Sequence, residues 1–423
     1  MSDTREGRSP PAAAGASVFV VSLIVQKYGG TSVADPDRIK RVAQRVVSAA
    51  EAGRQVCAVV SAMGDMTDRL LDLAGQVSNS RHPREQDMLL TAGERISIAL
   101  LSMAIIDLGR DAISFTGSQA GIVTDTSHGR ARIVEMRSRR VQEELDAGRI
   151  VIVAGFQGVS TELDVTTLGR GGSDTTAVAL AAALGADHCE IYTDVEGVFT
   201  ADPRIVPDAR KLDVLSYEEM LELSASGAKV LMLRSVEYAR NHGVLVHVRS
   251  SLSDGNGTWI VKEEDVLERA IVSGVAHDTS EAKVTIVGVP DRPGIAAAVF
   301  RPLADAGVNI DMIVQNVSAA GHTDISFTLP KEDVSHAEPI LQRVAGQAGA
   351  SGFSCDPDIA KVSLVGAGMK SDPGVAADMF EALAEAGINI EIISTSSIRI
   401  SCVVRAADVE GAVRTLHERF RLA

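Results

Sequence analysis

The chain has 423 residues and a formal net charge of −15, and only 3% of its residues are aromatic. This length predicts two to four domains. The negative charge and the scarcity of aromatic rings disfavour a nucleic acid partner. The four cysteines are scattered without Cys-x-x-Cys spacing, which is typical of a reducing compartment such as the cytoplasm. No unbroken apolar stretch reaches about 18 residues, so we expect no membrane span.

The first part of the chain, residues 1–21, is polar and then rich in Pro, Ala and Gly. This composition predicts a disordered extension. Acidic residues offset its arginines and no small-residue cleavage site follows, which disfavours a signal peptide. We expect translation to start near Val21, just before the first strand.

A glycine-rich segment, Lys27-Tyr28-Gly29-Gly30-Thr31-Ser32, lies between an apolar run and a helical pattern that opens at Pro36. Glycines let backbone N–H groups converge on one point and let a ligand approach closely. Lys27 adds a compact positive charge. The spacing is not that of a P-loop. Alone, this segment fits a tight turn with a solvated lysine as well as it fits a phosphate site.

A second glycine-rich segment, Gly169-Arg170-Gly171-Gly172-Ser173-Asp174, follows a β-rich run and opens an alanine-rich helix. The free N–H groups of a helix N-terminus bind anions, and an arginine fork suits carboxylate or phosphate. Ser173 or Asp174 alone would fit an ordinary helix cap. A cap does not explain the arginine and its flanking glycines, so the two segments together predict an anion site.

Strand-like runs alternate with helical patterns over residues 22–250, which predicts an α/β domain with a mainly parallel sheet sandwiched by helices. Ligands bind such sheets at the carboxyl ends of the strands, where both glycine segments lie. A turn-rich stretch begins at Ser250. We therefore predict a catalytic domain over 22–250 and a linker over 251–280, followed by domains over 281–350 and 351–423.

The last two domains are predicted from an internal repeat. Lys283-Val-Thr-Ile-Val-Gly recurs as Lys361-Val-Ser-Leu-Val-Gly, Pro293-Gly294 recurs as Pro373-Gly374, and Asn309-Ile310 recurs as Asn389-Ile390. Each copy has the pattern strand, turn, helix, turn, strand. Two such copies predict two ferredoxin-like units.

Taken together, these motifs resemble those of the aspartate kinase family, specifically the actinobacterial lysine-pathway type. The resemblance covers about residues 22–423 and implies the amino-acid kinase fold followed by two ACT domains. Other members of the fold, such as glutamate 5-kinase or acetylglutamate kinase, share the glycine loops but not the whole set. The motifs are Lys27–Ser32, Ser61–Gly64, Thr91–Arg95, Phe115–Gly121, Gly155–Gly158, Gly169–Thr175, Tyr192–Arg204 and the repeats.

The family reaction transfers the γ-phosphoryl group of ATP, bound with Mg²⁺, to the side-chain carboxylate of L-aspartate. The product is 4-phospho-L-aspartate, the first intermediate of lysine, threonine and methionine biosynthesis. Such chemistry needs alignment and charge neutralisation more than a strong base. The resemblance implies catalytic roles for Lys27 and Asp174, with Asp174 orienting the lysine.

The resemblance also implies the binding residues. Glu94 would accept the substrate ammonium and Arg170 would clamp its α-carboxylate, while Ser61, Thr67 and Ser173 would donate hydrogen bonds. A surface ion pair at Glu94, a helix cap at Asp174 and a simple turn at Asp202 remain the alternatives. The implied nucleotide-binding residues are Lys27, Tyr28, Gly29, Gly30, Thr193, Asp194, Thr200, Asp202, Arg204 and Lys229.

The ACT repeats would bind lysine, threonine or both at an interface of a homo-oligomer, a dimer or a tetramer. Many relatives carry glutamate where this chain has Ser397, so we predict weakened control by lysine. Rival interpretations are a kinase for another carboxylate and an amino-acid sensor without catalysis. The intact glycine loops and Lys27 argue against the sensor. The implied effector-binding residues are Asp291, Pro293, Gly294, Ile295, Asn309, Ile310, Asp311, Gln315, Asn389, Ile390 and Ser396.

Overall fold

The computed structural model describes residues 22–80, 82–266, 271–316 and 321–423. The predicted extension over 1–21 lies outside the described residues. The strands of the first part of the chain are β1 (Leu23–Tyr28), β2 (Gln55–Val60), β3 (Ala112–Phe115), β4 (Ile122–Thr124), β5 (Ile133–Met136), β6 (Ile150–Ala154), β7 (Gln157–Ser160), β8 (Val165–Thr167), β9 (His188–Thr193), β10 (Val214–Ser216), β11 (Val246–Ser250) and β12 (Thr258–Val261). Its helices are α1 (Pro36–Glu51), α2 (Met66–Val77), α3 (Pro83–Asp107), α4 (Arg139–Asp146), α5 (Gly172–Leu184), α6 (Tyr217–Ala225) and α7 (Leu233–His242).

The main sheet has eight strands in the order β10-β12-β11-β9-β1-β2-β6-β3. Six neighbouring strands are parallel to one another: β11, β9, β1, β2, β6 and β3. Strand β12 runs antiparallel to β11, and β10 runs parallel to β12. This arrangement confirms the predicted mainly parallel sheet. A smaller sheet, in the order β5-β4-β7-β8, lies beside it.

Helices cover both faces of the main sheet. One face, which includes Ile24 and Val60, packs on α1 and α3. The other, which includes Val25 and Val59, packs on α4 to α7. Because both faces are buried, the strands read as continuous apolar runs rather than alternating ones. The three layers fix the carboxyl ends of β1, β2 and β9 at one edge.

Helix α3 is the longest helix of the described residues and bears on the expectation about membranes. By length and composition alone it would suffice to cross a bilayer, although half of its most apolar window is buried inside the protein. The core helix of a soluble domain gives the same signal. Here α3 packs its Ile98, Leu101 and Ile105 against the main sheet.

The rest of the chain forms two four-stranded antiparallel sheets, ordered β15-β16-β14-β17 and β13-β18-β20-β19. Each sheet carries two helices, as the predicted ferredoxin-like units require. The strands are β13 (Gly274–Asp278), β14 (Glu281–Pro290), β15 (Asp311–Gln315), β16 (His322–Pro330), β17 (Gly352–Asp356), β18 (Ile359–Val365), β19 (Ile392–Thr395) and β20 (Arg399–Arg405). The helices are α8 (Ile295–Asp305), α9 (Val334–Ala348), α10 (Gly374–Glu385) and α11 (Val409–Arg419).

The strand pairing corrects the predicted boundaries of these units. Strand β13 lies in the predicted linker, 251–280, yet it pairs with β18 of the second unit. Strand β17 lies after the predicted boundary at 350, yet it pairs with β14 of the first unit. The predicted linker also contains β12 of the main sheet. The first unit is therefore inserted into the second, between the neighbouring strands β13 and β18.

Two lysines at equivalent positions of the repeats join the units to each other. Lys361 Nζ lies 3.0 Å from Asp311 Oδ2 and also pairs with Glu281. Lys283 pairs with Glu391, the residue that corresponds to Asp311 in the other repeat. Lys361 is only 1% exposed. A nearly buried lysine needs both carboxylates to offset the loss of its hydration.

Candidate active site

The carboxyl end of β1 and the first turn of α5 bring two charged side chains into contact. Lys27 Nζ lies 2.6 Å from Asp174 Oδ1, and the two side chains are 12% and 8% exposed. The two glycine segments, which the sequence predicts to form one anion site, lie together in the structure. A nearly buried lysine held by one carboxylate keeps its position.

Close backbone packing sets the position of the α5 N-terminus. A Cβ on Gly155, just after β6, would lie 2.6 Å from Ser173 Oγ and 3.0 Å from Ser173 Cα. Ser61 donates a hydrogen bond to Ser173, with 2.9 Å between their Oγ atoms. Gly171 has φ 70°, a left-handed conformation that glycine adopts without strain. Glycine at these positions lets α5 reach the ends of β2 and β6.

The first glycine segment packs on the loop that follows β2. A Cβ on Gly30 would lie 2.9 Å from the carbonyl oxygen of Ala62. The N–H of Gly64 donates to the carbonyl of Gly30 at 3.0 Å. The N–H of Gly29 points instead to the carbonyl of Tyr192, 3.4 Å away on β9. Gly30, which opens a short 3₁₀ helix, is therefore the better placed of the two to present its amide to an anion.

Glu94 of α3 lies beside the same loop, and its side chain is a buried carboxyl. Its Oε1 accepts a hydrogen bond from the N–H of Ala62 at 3.2 Å, and its residue exposure is 2%. Its Oε2 is buried and has no hydrogen-bond partner within the described ranges. Burial raises the pKa of Glu94 to about 7. Because Glu94 is buried, it is not part of a surface ion pair. A buried carboxyl oxygen without a partner suits a cationic ligand group.

Arg170 does not join this group in the structure. Its side chain is 88% exposed, and its guanidinium lies 3.5 Å from Glu332 of the first ferredoxin-like unit. Thr67, the second residue of α2, is half-buried. The structure therefore gathers Lys27, Asp174, Ser61, Ser173 and Glu94, and leaves Arg170 paired with another domain.

Two of the predicted nucleotide contacts are corrected by the structure. Tyr28 is fully buried, and its ring stacks on Tyr192 at 4.8 Å on the face of the sheet opposite Lys27. Its carbonyl accepts a hydrogen bond from the N–H of Ser61 at 3.1 Å. Thr200 is fully buried, and its Oγ1 lies 3.0 Å from Nε2 of His417 in α11. The second ferredoxin-like unit, rather than a nucleotide, thus contacts the Thr200 side chain.

The remaining predicted nucleotide residues lie at the end of β9, on the loop that follows it, or on the loop after α6. Thr193 ends β9, and its hydroxyl donates to Asp194 at 3.1 Å. Arg204 donates four hydrogen bonds to the carboxylate of Asp202, and the shortest is 2.6 Å. Lys229 is exposed on the loop after α6. The Asp202–Arg204 pair matches the simple-turn alternative.

The predicted effector site is partly occupied by contacts within the chain. The N–H groups of Asp291 and Ile295 donate to carbonyls of Gly321 and Arg292. Lys361 holds the carboxylate of Asp311, which is therefore not free to receive an ammonium group. Ser396 donates a hydrogen bond to Glu222 of α6, 3.0 Å away. The exposed members of the predicted set are Asp291, Pro293, Gly294, Asn309, Gln315, Asn389 and Ser396.

Sequence reasoning missed Asp87, a 1% exposed carboxylate two turns before Glu94 on α3. Its carboxylate forms hydrogen bonds with His128 and with Thr167, two residues before Gly169. The available signal is its place on the buried face of an apolar helix, in register with Glu94. A lone histidine such as His128 gives no such signal.

A metal ion has no ready-made protein cage here. Within the described ranges of the chain, no group of three or more His, Cys, Asp or Glu side chains is arranged to hold a metal ion. Magnesium is often held by one or two carboxylates together with substrate phosphates.

Comparisons with known proteins agree with this architecture. The amino acid kinase family matches residues 22–250, and the ACT domain matches residues 283–348 and 362–420. Aspartokinase of Mycolicibacterium smegmatis is 61% identical over 408 residues, 95% of this chain and 97% of that one. Aspartokinase of Corynebacterium glutamicum is 59% identical over 407 residues, with the same shares covered.

A solved structure shows the same likeness. Aspartokinase III of E. coli, in complex with aspartate and ADP in the R-state, aligns with a TM-score of 0.81 at 26% identity. The alignment covers 94% of this chain and 99% of that one.

The fold and the site define a phosphotransferase of the amino acid kinase class, with two regulatory-type ACT domains. With relatives above half identity along nearly their whole length, the chain belongs to the aspartokinase family.

Proposed function

We propose that this enzyme transfers the γ-phosphoryl group of ATP to the side-chain carboxylate of L-aspartate, giving 4-phospho-L-aspartate. The observation that supports this most is the Lys27–Asp174 pair at the α5 N-terminus, beside a buried carboxyl at Glu94. The same enzyme would supply the lysine, threonine and methionine pathways. Four free cysteines in the described part of the chain fit the cytoplasm.

In this proposal the protein acts by placing charge where phosphoryl transfer needs it. The Lys27 ammonium neutralises charge on the transferring group, and Asp174 keeps the lysine in place. The amide of Gly30 and the N-terminus of α5 add partial positive charge. Thr193, Asp194 and Lys229 would bind the rest of the nucleotide. Magnesium bound with ATP would supply further charge neutralisation on the phosphates.

Substrate selection in this proposal uses opposite charges on the amino acid. Glu94 accepts the substrate ammonium, for which its partnerless Oε2 is suited. Arg170 clamps the α-carboxylate, and this requires the guanidinium to leave Glu332. Ser61, Ser173 and Thr67 complete the pocket.

We further propose that lysine, threonine or both regulate the enzyme through the ACT units of a homo-oligomer. An E. coli aspartokinase III structure contains lysine and aspartate in the T-state, and aligns with a TM-score of 0.71 at 26% identity. Ile313 and Ile393, at equivalent positions of the edge strands β15 and β19, are 54% and 45% exposed. Apolar edge strands of this kind are suited to pairing with another subunit.

The test is to trap acyl phosphates with hydroxylamine in the presence of ATP and Mg²⁺. We expect hydroxamate from aspartate, and little from glutamate or N-acetylglutamate. Lys27→Ala should abolish it while leaving binding of lysine or threonine, measured by calorimetry, intact. Hydroxamate from glutamate alone would overturn the substrate assignment, and no hydroxamate from any of the three would overturn the proposed activity.

A further inference from the structure

Asp87 is the point where two loops meet. Its carboxylate accepts hydrogen bonds from His128 Nδ1 at 2.8 Å, from the N–H of Gly129 at 3.1 Å, and from Thr167 Oγ1 at 2.5 Å. His128 and Gly129 belong to the β4–β5 connection, whereas Thr167 ends β8 and leads to Arg170. A carboxylate buried to this degree is stable only when such donors replace its hydration.

Arg234 of α7 holds the same two loops through their carbonyl groups. Its Nη1 donates to the carbonyl of Leu168 and its Nη2 to that of Ala131, both at 2.9 Å. Asp87 therefore accepts hydrogen bonds from donors of both loops, and Arg234 donates hydrogen bonds to carbonyl groups of both loops. We call these two side chains the loop clasp.

The clasped loops touch directly beside Arg170. The N–H of Ala131 donates to the carbonyl of Thr167 at 2.9 Å. A Cβ on Gly169, the residue before Arg170, would lie 3.1 Å from the carbonyl oxygen of Gly129. A shift of the β4–β5 connection would therefore be transmitted to the residue that precedes Arg170.

We propose that Asp87 and Arg234 are positioning residues that place Arg170 for the α-carboxylate of the substrate, an inference that rests on the proposed function. Within the described part of the chain, neither side chain forms a hydrogen bond with Lys27 or Asp174, so the loop clasp acts on substrate binding rather than on phosphoryl transfer. In the structure the Arg170 side chain is exposed and paired with Glu332. To reach the substrate carboxylate in one defined position, it needs a backbone that is fixed in place.

The test compares Asp87→Asn and Arg234→Met with the wild type in the hydroxamate assay. We expect KM for aspartate to rise by about tenfold or more, while KM for ATP changes by less than about twofold. Arg234→Lys, which keeps one donor, should recover part of the loss. Thr167→Val removes a single donor and serves if Asp87→Asn does not fold.

A second substrate separates positioning from general damage. β-Alanine is aspartate without its α-carboxylate, so Arg170 has nothing to hold. Asp87→Asn and the wild type should therefore phosphorylate β-alanine at equal rates, although both slowly. As a matched control, Tyr217→Phe removes one buried hydrogen bond, 2.7 Å to the carbonyl of Val244, away from the clasped loops. Its KM for aspartate should stay at the wild-type value.

Equal losses with aspartate and β-alanine, or an unchanged KM for aspartate in both clasp variants, would overturn this inference while leaving the proposed function intact. A wild type that forms no aspartyl hydroxamate would overturn the proposed function, and the inference with it.

Discussion

Lys27 Nζ and Asp174 Oδ1 lie 2.6 Å apart and join the end of β1 to the first turn of α5. Each side chain is nearly buried, so each charge is stable mainly because the other is present. If Lys27 has the proposed catalytic role, we expect the cation and its carboxylate to be coupled both in activity and in stability.

The first prediction separates these two effects. Lys27→Met should lower kcat by about 10³-fold, because in the proposed function it removes the cation that neutralises charge on the transferring group. It should also cost about 3 kcal/mol in free energy of unfolding, since the Asp174 carboxylate is left without its partner. The measurements are single-turnover kinetics and urea unfolding.

The control is the double variant Lys27→Met/Asp174→Asn, in which no unpaired charge remains. It should regain part of the lost stability but none of the lost activity. A double variant less stable than Lys27→Met would show that the pair does not act as described.

The second prediction concerns the pH dependence of Glu94. Burial raises its pKa to about 7 in the folded protein, against about 4.3 in the unfolded chain. Between these values the folded state holds the proton more tightly, so the free energy of unfolding falls as pH rises through this window and levels off above it. The loss attributable to Glu94 should be about 3 kcal/mol at most, measured as the wild-type minus Glu94→Gln difference at pH 5 and pH 8.

Substrate binding should show the opposite trend, because only the ionised carboxylate attracts the substrate ammonium. We expect kcat/KM for aspartate to fall about tenfold per pH unit below 7, with kcat/KM for ATP much less affected. Glu94→Gln should have a low kcat/KM that lacks this dependence. The same acid limb in Glu94→Gln would assign the titration to another group.

The third prediction uses the close approach of Gly155 to Ser173. An alanine Cβ would lie 2.6 Å from Ser173 Oγ and 3.0 Å from its Cα, so α5 must shift. Gly155→Ala should cost about 1–3 kcal/mol in stability and reduce kcat, because the shift carries Asp174 away from Lys27. Thermal unfolding and the hydroxamate assay measure the two effects.

Gly75 of α2 is the matched control, since a Cβ there meets nothing within 4 Å. Gly75→Ala should stabilise the protein by about 0.5–1 kcal/mol, as expected for glycine in a helix. Wild-type kcat in Gly155→Ala would mean that α5 tolerates the displacement.

The fourth prediction concerns control by lysine. Ser397 follows Ser396, which donates a hydrogen bond to Glu222 of α6, and a serine there offers no carboxylate to an ammonium group. We expect weak inhibition by lysine alone, and Ser397→Glu should strengthen it. Dose–response curves with lysine and threonine, singly and together, measure this effect. Strong inhibition of the wild type by submillimolar lysine would contradict it.

The sequence was sufficient to predict that the segments of Lys27 and Asp174 meet, since ligands bind at the ends of parallel strands. Only Lys27 lies at the end of such a strand, however, because the second glycine segment follows β8 of the smaller sheet. The repeat likewise predicted two ferredoxin-like units. Strand β13 was not predictable in the same way, since its five residues carry no sign of a partner more than eighty residues away. Local patterns identify strands, whereas pairing depends on the whole fold.

The errors at the site have a similar origin. Thr200 belongs to a motif that resembles a nucleotide loop, yet Ile205 and Val206 of the same loop pack into the core of the second ACT unit. Burial of the apolar residues sets the position of this loop, and Thr200 is placed against the second ACT unit as a result. Asp87 was missed because its only signal is its register with Glu94 on an apolar helix, and its donors come from two distant loops.

The order of strands also has a consequence for cleavage of the chain. Strand β13 precedes the first ACT unit along the backbone but completes the sheet of the second. A protease that cuts at Pro357, between β17 and β18, would leave β13 on one fragment and β18 to β20 on the other. The two fragments would remain associated through the β13–β18 ladder and migrate together until a denaturant separates them.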